Sequence, residues 1–123
     1  MATIAKSLAL IVLFSLTSKG FCDKCVLGNI EIGTSRSGAV VAGKPEWNVV
    51  VKNNCQCTQS LITVSCQGFQ SSSPVDPKKL TKHGDKCIIN MGKPLPGFAS
   101  VSFSYAWDPP FNLVPVSSVV IPC

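Results

Sequence analysis

Catalytic side chains are scarce in this sequence. It contains one histidine and six acidic residues, and charged residues make up only 14% of its 123 positions. His83 lies close to Asp85, but no Gly-x-Ser-x-Gly elbow supplies a serine nucleophile. The acidic residues are scattered, so no spacing places two of them across a glycosidic bond, and no glycine-rich loop could cradle a phosphate. The sequence therefore predicts a protein that is not an enzyme and that needs no cofactor.

Long hydrophobic runs are also absent. The unbroken apolar run Leu8–Phe14 is far shorter than the ~20 residues that a membrane-spanning helix needs. Lys6 precedes this run and small residues follow at Ser18 and Gly20, which is the layout of a secretory signal peptide. We expect cleavage after Gly20, so that residues 1–20 are a signal peptide and residues 21–123 form one domain. The mature chain is then secreted, extracellular or apoplastic, without insertion into a membrane.

Basic residues are too few and too dispersed for a nucleic-acid-binding surface. The net charge is +5 at pH 7, and without the two lysines of the signal peptide it falls to +3. The chain has one tight basic group, which comprises Lys78, Lys79, Lys82 and Lys86. No nucleic-acid partner is predicted.

Seven cysteines lie beyond the predicted cleavage site: Cys22, Cys25, Cys55, Cys57, Cys66, Cys87 and Cys123. Because the secretory compartment is oxidising, we expect six of them to form three disulfides, whose pairing the sequence leaves open among ~15 possibilities. The seventh is free, bridges to another chain, or is removed if cleavage follows Cys22 instead. Secretion disfavours a zinc site, so no metal is predicted. No βαβ pattern surrounds Cys22 and Cys25, which disfavours a thioredoxin-like redox pair.

Spacing adds one constraint on these bridges. Cys55 and Cys57 are two residues apart, and in extended chain they project to the same face. They are therefore expected to bridge to separate partners rather than to each other.

Short segments rich in valine, isoleucine and serine follow one another, with glycine or proline every ~8–12 residues. This pattern predicts an all-β fold, a small disulfide-stapled β-sandwich or barrel-like domain. NIEIG and GAVVAGKP are predicted as separate short strands, the second ending in a Gly-Lys-Pro turn. SSSPVDPKKL is predicted as a loop with at most one helical turn, from Asp76 to Lys82. KCIINM follows as a strand, and NLVPVSSVVIPC is predicted as an edge strand because it contains Pro115.

Alternation of apolar and polar residues assigns faces to three strands. Serines line the outer face of SVSFSYAW. The residues expected to face the core are Trp47, Val49 and Val51 in EWNVVVKN, Ile62, Val64 and Cys66 in SLITVSC, and Val101, Phe103, Tyr105 and Trp107 in SVSFSYAW.

Six segments together resemble a known family: KPEWNVVVKNNCQCTQ, VSCQGFQSS, VDPKKL, DKCIINMGKPL, FSYAWDPPF and PVSS. In this ordered combination they resemble the plant tapetum determinant-like family of small secreted cysteine-rich proteins, across essentially the whole mature chain. The family's founding members are extracellular ligands of a leucine-rich-repeat receptor kinase that specifies cell fate in the anther. The resemblance therefore implies a secreted signal whose partner is a receptor kinase ectodomain.

Two segments are the candidate partner-binding residues for that function. One is the rigid turn of Trp107, Asp108, Pro109, Pro110 and Phe111, and the other is the basic stretch of Lys78, Lys79, Lys82 and Lys86. A rigid turn lowers the entropic cost of docking, and lysines steer a protein toward an acidic partner. The alternative is a non-catalytic module that binds cell-wall carbohydrate, for which Trp107 and Tyr105 would supply stacking rings.

Overall fold

The computed structural model describes residues 24–123, and the predicted signal peptide, its cleavage site and Cys22 lie outside them. Short 3-10 helices span Leu27–Asn29 and Asn90–Gly92. The strands are β1 (Ile30–Val41), β2 (Lys44–Asn53), β3 (Gln59–Ser65), β4 (Leu80–His83), β5 (Lys86–Ile89), β6 (Ser100–Ala106) and β7 (Val114–Val120). The predicted all-β fold is confirmed.

The strands form two antiparallel sheets that enclose one core. One sheet has the order β1-β2-β6 and the other the order β4-β5-β3-β7. The core draws on both, since Val49 and Phe103 come from the first sheet and Ile62 and Ile89 from the second. The domain is therefore a β-sandwich, and β7 lies at a sheet edge as predicted.

The predicted division between NIEIG and GAVVAGKP is wrong. A single strand, β1, covers both segments up to Val41, and a two-residue turn at Ala42 and Gly43 connects it to β2. Both turn residues have positive φ, 50° and 77°, as tight hairpin turns require. An irregularity in the pairing with β2, between Arg36 and Val40, interrupts the alternation, and this made one strand look like two.

The predicted loop with at most one helical turn near Asp76 to Lys82 contains one hydrogen-bonded turn. The Asp76 side chain accepts the N–H of Lys78 at 2.9 Å, and its carbonyl accepts the N–H groups of Lys79 and Leu80. β4 then begins at Leu80, which is buried and pairs with Ile89. Burial of Leu80 thus limits the helical geometry to one hydrogen-bonded turn.

The predicted inward faces are confirmed in the strand interiors. Val49, Val51, Val64 and Tyr105 have no exposed surface. The two tryptophans, Trp47 and Trp107, are only half-buried and pack against the margin of the core.

Two buried polar side chains were not anticipated. Asn53 and Gln59 have no exposed surface. Asn53 Nδ2 donates to the carbonyls of Cys57 at 2.8 Å and Leu95 at 3.0 Å, while Gln59 Oε1 accepts the hydroxyl of Ser118 at 2.6 Å. The Asn53 bonds fasten the β2–β3 connection to the loop before β6, and the Gln59 bond joins β3 to β7.

Three disulfides cross-link the described chain, and two of them tie its ends to its middle. They join Cys25 to Cys55, Cys57 to Cys123 and Cys66 to Cys87, so Cys55 and Cys57 have separate partners. Closing loops of 30, 66 and 21 residues restricts the unfolded chain, and a bridge of this kind typically contributes ~2–4 kcal/mol. Within residues 24–123, the structure has no helix long and apolar enough to cross a membrane.

Candidate partner-binding surface

The chain leaves β6 at Trp107, whose backbone is fixed to β2. Its N–H donates to the carbonyl of Pro45 at 3.2 Å, and its carbonyl accepts Nε1–H of Trp47 at 2.9 Å. The second bond satisfies the polar atom of a half-buried indole. The start of the candidate turn is therefore anchored on both sides.

Two cations lie over the tryptophan rings. Lys44 Nζ is 4.7 Å from the ring centroid of Trp107, and the Arg36 guanidinium carbon is 5.5 Å from that of Trp47. Each contact contributes ~0.5–1 kcal/mol at an exposed site. We call Arg36, Lys44, Trp47 and Trp107 the two-tryptophan cluster. The sequence analysis missed the two cations, although pairing of Arg36 with Trp47 follows once the β1–β2 hairpin is drawn.

The middle of the candidate turn is presented to solvent. Asp108, Pro109 and Pro110 are exposed, and the Asp108–Pro109 peptide is cis. Because proline fixes its own backbone angle, this segment has little conformational freedom to lose on docking. Its exposed residues adjoin the two-tryptophan cluster.

Phe111 ends the turn and anchors it in the core. Its ring centroid lies 5.2 Å from that of Phe69 and 5.8 Å from that of Tyr105, and its N–H donates to the Tyr105 hydroxyl at 2.9 Å. Replacing Phe111 would therefore disturb folding as well as any docking. The exposed side chains of this turn are those of residues 108–110.

Tyr105 has no exposed surface, so its ring is not available to stack on a sugar. Burial raises the pKa of its phenol, and the hydrogen bond from the Phe111 N–H partly offsets this effect. Carbohydrate binding would use the rings of Trp107 and Tyr105, and of these two only the ring of Trp107 reaches the surface.

The four lysines do not form one patch. Lys82 pairs with Cys87 across β4 and β5, and its Nζ donates to the Phe69 carbonyl at 3.1 Å. Lys86 pairs with His83, one position along, and so projects from the opposite face of the sheet. Lys78 and Lys79 lie in the turn before β4.

Lys79 lines a groove of about 560 Å³ beside β6. Ser102 and Ser104 of β6 line it together with residues 48–50 of β2, and Pro74 contributes from the loop after β3. The hydroxyl of Ser104 donates to Asn48 Oδ1 at 2.8 Å, which fixes both side chains. Alternation predicted a serine-lined outer face here, but the groove depends on the path of the loop, which no local pattern encodes.

Comparison with known proteins identifies the family of the chain. The family model described as "Tapetum determinant 1, C-terminal" matches residues 26–122. "TPD1 protein homolog 1A" of Oryza sativa subsp. japonica is 34% identical over 103 residues, which are 76% of this chain and 46% of that protein. "TPD1 protein homolog 1" of Arabidopsis thaliana is 32% identical over 85 residues, which are 67% of this chain and 48% of that protein.

A third relative, described as an uncharacterized protein of Arabidopsis thaliana, is 33% identical over 100 residues, which are 73% of this chain and 78% of that protein. The chain thus spans about half the length of the first two relatives it matches. No solved structure matches it. The family match covers almost all of the described domain, and the chain therefore belongs to the tapetum determinant 1 family.

Proposed function

We propose that this protein is a secreted, non-catalytic signalling ligand that binds the leucine-rich-repeat ectodomain of a receptor kinase and acts in cell-fate specification, as in the anther tapetum. Membership of the tapetum determinant 1 family carries this proposal. The relatives named as TPD1 homologues share 34% and 32% identity with the chain. The founding members of the family that the sequence resembles act as such ligands.

The disulfides support the extracellular part of the proposal. Three bridges in 100 described residues would not persist in a reducing cytosol. Together with the predicted signal peptide, they favour secretion to the apoplast. Stability outside the cell also suits a ligand that must diffuse between cells.

The exposed turn and the cluster beside it supply a docking surface of the expected kind. Residues 108–110 are exposed on a rigid backbone, and the neighbouring indoles are of the residue types that anchor protein interfaces. The cations of Arg36 and Lys44 each lie over one of these rings. Such a surface fits a protein partner that places carboxylates against Arg36 and Lys44 and a cation against Asp108.

The test is binding of the secreted protein to a panel of leucine-rich-repeat receptor ectodomains, in parallel with cell-wall oligosaccharides. We expect saturable binding to an ectodomain. Asp108→Arg should weaken it by ~5-fold or more, because a bulky side chain of reversed charge then sits within the interface. Glu31→Arg is the control, since Glu31 is an exposed acidic residue that pairs with Lys52, at the other end of β2 from Trp47, and it should leave affinity unchanged.

The alternative function makes the opposite forecast. A carbohydrate-binding module would bind a wall oligosaccharide saturably, lose that binding in Trp107→Ala with the fold intact, and bind no ectodomain. That combination would overturn the proposal. If a receptor binds and Asp108→Arg has no effect, the ligand function stands and the choice of surface is wrong.

A further inference from the structure

One side of the β6 backbone faces away from its own sheet, because β6 is an edge strand. At its end, the N–H of Trp107 donates to Pro45 and thus points toward β2. Successive residues of an antiparallel strand direct their backbone groups alternately to the two sides. The N–H and C=O groups of Ser102, Ser104 and Ala106 therefore point outward, away from β2.

The other end of β6 gives the same alternation. The N–H of Asn53 in β2 donates to the carbonyl of Ala99 at 2.9 Å. Ala99 and Trp107 are an even number of residues apart. The backbone groups of the odd-numbered residues therefore face β2 along the whole strand. The outward direction of Ser102 and Ser104 is thus fixed from both ends.

The chain itself occupies one of the outward positions. The Ala106 N–H donates to Ser71 Oγ at 2.9 Å, and the Ala106 carbonyl accepts the N–H of Ser72 at 2.8 Å. The loop after β3 thus begins to pair with β6 as an additional strand would. It does not continue, because Pro74 has no N–H to donate.

The remaining outward positions are those at the groove. Among residues 24–123, no backbone hydrogen bond is found for the outward groups of Ser102 or Ser104. The groove of about 560 Å³ reaches them, since Ser102 and Ser104 line it together with Pro74 and Lys79, and it also extends over residues 48–50 of β2. An unpaired strand edge of this kind is a template for another extended chain.

The groove lining carries one cation, Lys79, and one anion, Asp76. Lys79 contributes an ammonium group to its lining. The carboxylate of Asp76 lines it too, but one of its oxygens accepts the N–H of Lys78 within the turn. Lys79 is therefore the charge best placed to meet a side chain from outside.

We propose that this groove binds an extended segment of a protein partner, which pairs with the backbone of Ser102 and Ser104 and places a carboxylate against Lys79. Strand addition of this type draws affinity from main-chain hydrogen bonds and specificity from side-chain contacts such as that with Lys79. That the segment belongs to a receptor ectodomain rests on the proposed function, whereas the pairing itself does not.

A soluble peptide tests the pairing without any receptor. The probe is an acetylated and amidated heptapeptide that alternates threonine and glutamate, titrated into isotope-labelled protein whose amide resonances are followed by NMR. We expect saturable shifts centred on the amides of Ser102 and Ser104. A peptide N-methylated on every amide keeps its side chains but has no main-chain donor on either edge, and it should not bind. A peptide with lysine in place of glutamate should bind more weakly.

Matched variants localise the effect on the protein. Ser102→Pro removes one outward donor, and the peptide should bind ~5-fold or more weakly. Ser100→Pro changes an outward position that does not line the groove, and it should bind normally. Lys79→Glu should weaken binding ~3-fold or more through loss of the ion pair and added repulsion, while Lys78→Glu should not. If either proline variant fails to fold, the comparison of Lys79→Glu with Lys78→Glu and the N-methylated peptide still test the proposed pairing.

The proposal is overturned if the glutamate peptide gives no saturable shifts, if the shifts lie away from β6, or if Lys79→Glu and Lys78→Glu bind it equally well. A receptor complex provides a second arm, measured by hydrogen exchange. Slowed exchange at Ser102 and Ser104 supports the proposal, and unchanged exchange there in a saturated complex overturns it while the ligand function stands. Peptide pairing without binding to any ectodomain supports the groove and counts against the proposed function alone.

Discussion

Gly97 offers the sharpest test of how the loop before β6 packs. A Cβ built on Gly97 would lie 2.2 Å from the carbonyl oxygen of Gln56 and 2.9 Å from that of Cys55. Both contacts are with backbone, and Cys55 is held by its disulfide to Cys25. The side chain of an alanine cannot be accommodated by rotation, so Gly97→Ala must push the two segments apart.

The loss of stability can be worked out from the hydrogen bonds that this movement breaks. The N–H of Phe98 is shared between the carbonyls of Asn53 at 2.8 Å and Cys55 at 3.2 Å. Losing bonds of this kind costs ~1 kcal/mol each, and overpacking adds ~1–3 kcal/mol. We therefore expect Gly97→Ala to lower the free energy of unfolding by ~3–5 kcal/mol.

Urea denaturation with the disulfides intact measures this change. Gly33→Ala is the matched control, because a Cβ at Gly33 in β1 meets nothing within 4 Å, and it should shift the free energy of unfolding by less than ~1 kcal/mol. A loss below ~1 kcal/mol in Gly97→Ala would refute the close approach of the two backbones.

Three further predictions concern the core and the cysteines. Asn53→Ala leaves buried carbonyls without their donor and should cost ~2–3 kcal/mol in urea denaturation; a neutral result would contradict the hydrogen-bonded core. Because the pKa of Tyr105 is raised above 10.0, its contribution to stability should be complete below that pH and decline as the pH rises through the folded-state pKa, and Tyr105→Phe should abolish this component. Mass spectrometry of the secreted protein should find three intramolecular bridges, and N-terminal sequencing should find Phe21 first; a start at Asp23 would show that Cys22 leaves with the signal peptide.

The sheet interiors could be predicted because burial acts on alternate residues. In β2 and β6 one face meets the core, so apolar side chains such as Val49 and Phe103 recur with period two. The long hairpin was missed because most of β1 is exposed on both faces. With no face selected for burial, its sequence lacks alternation and the irregular pairing near Gly38 was read as a break.

The polar core and the groove depend on distant contacts. Asn53 satisfies carbonyls that include that of Leu95, 42 positions away, and hydropathy alone cannot distinguish such an amide from an exposed one. The choice among disulfide pairings likewise depends on which chain segments meet. The groove beside β6 requires knowledge of where the loop from Ser71 to Lys79 runs, so its lining could not be read from the strand pattern.

We have proposed that this protein is a signal received by a receptor kinase. The most direct measurement is phosphorylation of leucine-rich-repeat receptor kinases at the surface of plant cells after addition of the purified secreted protein. We predict a rapid rise in phosphorylation of one receptor, and no rise with protein whose disulfides have been reduced and alkylated. The ligand proposal is contradicted if phosphorylation of every receptor tested stays unchanged and the folded protein binds a wall oligosaccharide instead.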